Sequence, residues 1–131
     1  MTGANMVKRQ IKNNILEIYE DETLLMMISE TVYDGVLLMR VLGKIRSAVA
    51  FELEDELMAA IPHFLTIRVD MSNVKYISGN ALQSLLTVQR VADETNTSLI
   101  ILSPSEEVKT VFDDCGFSDI LEIVNTQEES S

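Results

Sequence analysis

The sequence predicts an α/β fold: a single domain with a mixed, mostly parallel sheet of roughly four to five strands and three to four helices. Three observations predict it. Apolar, β-branched runs at 64–71 (FLTIRVDM) and 98–102 (SLIIL) alternate with longer stretches of helical periodicity, the pattern of parallel strands joined by crossover helices. An Asp34-Gly35 pair separates two further apolar runs, which adds an antiparallel hairpin. At 131 residues and 47% apolar composition, the chain supplies one hydrophobic core and one domain.

The elements follow in order. Over 6–19, Val7, Ile11, Ile15 and Ile18 recur at helical spacing with Lys8, Arg9 and Lys12 off the stripe. Residues 1–20 are therefore read as a helical extension, either a short packed or frayed helix or an interaction helix. The domain proper is read over 21–124. LLMMIS (24–29) and VLLMRVLG (36–43) are strands around the Asp34-Gly35 turn. From Ser47 to Ile61, Val49, Leu53, Leu57 and Ile61 share one face, while Glu52, Glu54, Asp55 and Glu56 fall mainly off it, until Pro62 and His63 break the helix. After the strand at 64–71, Asn80 is expected to cap a helix carrying Ala81, Leu85, Val88 and Ala92. Ser103-Pro104-Ser105-Glu106 reads as a capped start with Ser103 at the N-cap and Pro104 in the first helical position. That helix carries Val108, Val111 and Phe112, and Gly116 terminates it. ILEIV (120–124) closes the domain, and 125–131 is expected to be a disordered tail.

Composition excludes several functions. The net charge is −11, and all of it falls in residues 47–131, with four Lys/Arg against 15 Asp/Glu; residues 1–46 balance six against six. Such a surface repels nucleic acid and anionic lipid and favours a basic partner or simple solubility. No apolar run has the length of a membrane span and no apolar stretch follows the basic start, so a cytoplasmic protein is expected.

Little in the chain suggests catalysis. His63 stands in a loop beside Pro62, with no nucleophile in a recognisable context. Cys115 reads as a half-buried structural thiol. No Cys/His pair has metal-ligand spacing, and there is neither a Walker A sequence nor GxGxxG, so no metal or cofactor is expected. Asp113-Asp114 and Glu106-Glu107 are solvated helix faces. What remains is YISGNALQSLL (76–86), where a strand runs into a helix through Ser78, Gly79 and Asn80. Helix N-termini at strand carboxyl ends gather ligands and partners, although turn chemistry alone explains these three residues equally well.

The segment VDMSNVKYISGNALQSLL (69–86) resembles the central segment of STAS domains found in bacterial anti-sigma-factor antagonists. The match keeps Val69-Asp70-Met71-Ser72, Tyr76-Ile77 and Leu82 in register, and the resemblance extends over about 24–124. It implies a protein that binds an anti-sigma factor which is also a serine kinase, and that a phosphoserine at the turn controls the contact. Aligned without gaps, the phosphoacceptor position is Gly79, and the acidic residue before it is Ser78. The family's frequent Gly-x-Leu-Asp appears as Gly43-Lys44-Ile45-Arg46. The resemblance implies partner contacts at Ser78, Gly79, Asn80, Lys44 and Arg46, with Ser78 as a substitute candidate for phosphorylation. Three functions follow: an antagonist-type binder, a STAS scaffold or sensor subunit of a larger assembly, or a nucleotide- or small-ligand-binding protein; a homodimer is a further candidate partnership.

Overall fold

In the computed structural model, which describes residues 6–125, Asn13 and Asn14 take φ values of 54° and 65°. Two successive left-handed residues reverse the chain within a two-residue hairpin loop, and asparagine tolerates that conformation better than most residues. The expected helix over 6–19 is consequently absent. In its place are β1 (Val7–Lys12) and β2 (Ile15–Glu20), antiparallel, with Lys12 paired to Ile15. The apolar spacing that suggested a helix is not the set the strands bury: Leu16 and Ile18 turn into the core, whereas Glu17 and Tyr19 face away, Ile15 is only partly buried, and Val7 and Ile11 are exposed. β3 (Thr23–Tyr33) pairs antiparallel with β2, and the Asp34-Gly35 turn leads into β4 (Val36–Ile45) with Tyr33 opposite Val36, as expected.

From β4 onward the chain alternates. Helix α1 (Ser47–Ala60) leads through a short 3-10 turn to β5 (Thr66–Ile77); α2 (Gly79–Glu94) leads to β6 (Ser98–Leu102); α3 (Glu106–Asp114) leads to β7 (Glu122–Val124). The sheet has seven strands in chain order, β1 to β7, rather than four or five. Its first three pairings are antiparallel and its last three parallel, so it is mixed but not mostly parallel. Each crossover after β4 steps one strand in the same direction. Right-handed connections then place α1, α2 and α3 on one face.

That face holds the core. Met39, Ile67, Val69 and Met71 from the strands form one buried cluster with Leu53 and Leu57 of α1, Leu85 and Val88 of α2, and Val108 and Phe112 of α3. Among the described residues no helix covers the other face. There Leu38, Arg68 and Ile100 are only partly buried, and Arg40 is exposed beside Asp70 at 3.8 Å.

Local corrections concern caps. Helix α2 begins two residues earlier than expected, because Ser78, not Asn80, is the N-cap: its Oγ accepts from the Ala81 N–H at 3.1 Å. Similarly, α3 is capped by Ser105, whose Oγ accepts from the Val108 N–H at 3.2 Å. Ser103 lies two residues ahead of that cap, where its N–H donates to the Val124 carbonyl at 2.7 Å and ties the segment to β7. Gly116 follows α3 in the left-handed conformation, φ 74°, as a terminator should. Cys115 is exposed rather than half-buried. His63 lies exposed in the 3-10 turn. The expected tail falls almost wholly outside the described residues. Among those residues no helix is long and apolar enough to cross a membrane.

Candidate functional site

β5 is two residues longer than the stretch of β4 it pairs with. Arg40 and Leu42 pair with Asp70 and Asn73, and Gly43 and Lys44 pair with Val74 and Tyr76, so each step inserts an extra residue into β5. At the second step the extra residue is Lys75. A bulge breaks strand alternation, so Lys75 and Tyr76 are both exposed between buried Val74 and buried Ile77. On β4, Lys44 and Arg46 flank buried Ile45 and reach solvent. These side chains line a depression of about 760 Å³ together with Glu20 and Ser47.

The turn adjoins this depression. The Ser78 N–H donates to the Ile45 carbonyl at 2.9 Å, which docks the end of β5 against the end of β4. Ser78 itself is buried, 4% exposed, and its carbonyl accepts from the Leu82 N–H at 3.0 Å. Gly79 and Asn80 follow in the exposed first turn of α2. A Cβ at Gly79 would meet nothing within 4 Å. On the far side of the turn, Asn80 and Gln83 of α2 face Ser47 and Phe51 of α1 across a hollow of about 270 Å³. Phe51 is 68% exposed, an aromatic ring left in water next to the turn.

The structure thus brings all five sequence-predicted residues to one end of the sheet, with Lys44 and Arg46 on one side of the turn and Asn80 on the other. It adds Lys75, Tyr76 and Phe51. Phe51 carried a signal in the sequence, being an aromatic residue off the buried stripe of α1. Lys75 carried none, because bulges leave no periodic trace. Among the described residues no three His, Cys, Asp or Glu side chains group to hold a metal, and His63 and Cys115 lie elsewhere on the chain.

The sequence also matches a known family. Residues 27–130 match the STAS domain, and the chain belongs to the STAS domain family. Over 99 residues it is 28% identical to BtrV of Bordetella bronchiseptica, assigned as an anti-sigma factor antagonist, which covers 75% of this chain and 85% of BtrV. The fold is also that of solved structures. An anti-sigma factor antagonist from Mycobacterium paratuberculosis superposes with a TM-score of 0.69 at 17% identity, covering 76% of this chain and 85% of that one. The Bacillus protein SpoIIAA in its phosphorylated form gives 0.60 at 16% identity, covering 78% and 95%. Likeness at these identities speaks to the fold.

Proposed function

We propose that this STAS domain is a non-enzymatic, cytoplasmic binding protein of the antagonist type. It docks an anti-sigma factor that is also a serine kinase through Ser78, Gly79 and Asn80, with Lys44 and Arg46 alongside. The observation that carries the reading is the turn: Gly79 and Asn80 stand exposed at the head of α2, held there by the buried Ser78 cap.

In the resembling proteins a phosphate at this turn adds up to about two negative charges to a contact surface and so breaks the fit. Gly79 has no hydroxyl to accept one. Ser78 is a poor replacement, because its Oγ is buried and engaged with the Ala81 N–H. A kinase would have to unwind the first turn of α2 to reach it. The docking surface in this reading is permanently competent, and the usual switch is absent.

The test is a phosphotransfer assay with the cognate anti-sigma factor kinase and ATP. Wild type should bind the kinase and take up no phosphate, whereas Gly79→Ser should be phosphorylated on the introduced hydroxyl and then released. Phosphate on Ser78 of the wild type would contradict the reading.

A further inference from the structure

One concave surface opposes the charge of the rest of the molecule. The chain carries −11, yet Lys44, Arg46 and Lys75 converge on the depression of about 760 Å³. Strand geometry delivers them: β4 presents Lys44 and Arg46 on either side of buried Ile45, and the β5 bulge turns Lys75 outward beside Tyr76.

None of the three cations is neutralised by an ion pair among the described residues. The pairs that do form are Arg9 with Glu52 and Glu56, and Arg40 with Asp70. Two acids border the same region, Glu20 and Asp21. Asp21 Oδ1 accepts from the Met6 N–H at 3.1 Å, and Glu20 has an interaction of its own. Helix α1 opens onto this surface without a side-chain cap and without an acid in its first turn, so its positive end reinforces the cations. The cations carry the argument, and the helix end only adds to it.

We infer that this depression receives an acidic segment of the partner protein, with its carboxylates meeting Lys44, Arg46 and Lys75 and an apolar part lying on Tyr76. The owner of that segment is named by the docking reading, on which this inference rests; the depression adjoins the turn, since Tyr76 in its lining is two residues from Ser78 and Ser47 lines both the depression and the hollow beside Asn80. A chain of net charge −11 repels an acidic partner over most of its surface, so a local basic surface favours one orientation of approach. A nucleotide is the less favoured occupant. Lys44, Arg46, Lys75 and Tyr76 are all exposed, which suits an extended segment better than an enclosed small ligand.

The experiment titrates the isotopically labelled full chain with a synthetic octaglutamate peptide and follows backbone amide shifts. Inorganic phosphate, ATP and GTP are titrated separately. The peptide should shift the amides of residues 44–47 and 75–77. In the exposed-site variant Lys44→Glu/Arg46→Glu, peptide affinity should fall at least about tenfold, and added salt should weaken binding to the wild type. Absent or scattered shifts would overturn the inference. So would phosphate, ATP or GTP titrating the same amides as tightly as the peptide. The peptide requires neither Gly79 nor the partner, so its failure leaves the turn reading standing, and failure of a test at Gly79 leaves the peptide result intact.

Discussion

A Cβ added at Gly43 would collide with the Leu25 carbonyl oxygen, and Gly43 holds a φ of 110° that side chains rarely adopt. A Cβ at Gly79 would point into open space from an ordinary helical backbone. The two glycines look alike in the sequence and have opposite reasons to be there. Gly43 lets β4 pass close to β3 where β5 bulges, so it belongs to the fold. Nothing in the fold around Gly79 requires glycine. Gly43→Ala should therefore cost about 3 kcal/mol or more, the sum of backbone strain and a steric clash. Gly79→Ala should instead stabilise by about 0.4–1 kcal/mol, through the unfolded chain's lost freedom. Denaturant unfolding of both variants measures this, and a Gly79→Ala protein less stable than wild type would contradict the account.

At the scale of elements, sequence periodicity was a good guide wherever one face of a helix met the core. The stripes of α1 and α2 lie where Leu53, Leu57, Leu85 and Val88 predicted them, because burial enforces the period. It failed at β1 and β2, where Ile11, Ile15 and Ile18 match helical spacing although Ile15 and Ile18 lie on opposite faces of β2, and the two left-handed asparagines form a hairpin turn instead. Caps failed for another reason: Ser78 and Ser105 each compete with a neighbour of equal local propensity, and hydrogen bonds from other elements settle the choice. The turn of the candidate site was legible, through Gly79 and Asn80. Its basic flank was legible only in part, since the bulge that exposes Lys75 depends on pairing with a distant strand.

Element packing also creates one electrostatic liability. Glu30 of β3 comes near Glu56 of α1, and partial desolvation, then the Glu56 charge, raise the Glu30 carboxyl above its usual range. The folded chain thus keeps a proton that the unfolded chain has already released as pH rises. Ionised Glu30 weakens the fold at neutral pH, and the penalty relaxes as pH falls through its raised range. Arg9, bonded to Glu56 at 3.2 Å, offsets part of it. Glu30→Gln should raise the Tm at neutral pH, with the gain shrinking in acid. A Tm lowered at neutral pH would contradict this.

Across the whole molecule, a sheet with its described helices on one face leaves three kinds of surface open: the end of the sheet carrying the turn, its edges, and the uncovered face with Leu38, Arg40, Arg68 and Ile100. β7 is only three residues long, and β1 carries Lys8, Arg9 and Lys12 in six residues, so both edges are poor templates for strand-to-strand association. The turn, with exposed Phe51 on one side and the basic depression on the other, is the surface on which the proposed docking rests. The charge distribution agrees, because it concentrates unpaired cations beside the turn of an otherwise acidic protein.

Gly79→Asp separates docking from folding more cleanly than any other change. The site has room for the side chain, and a carboxylate in the first turn of a helix is electrostatically favourable, so the fold should be as stable as wild type or more so. The decisive measurement is calorimetric titration of the anti-sigma factor partner into wild type and Gly79→Asp, with the Tm of each recorded. The account expects affinity to fall at least about tenfold, roughly 1.4 kcal/mol, with no loss of Tm. Equal affinity in the two proteins would contradict it.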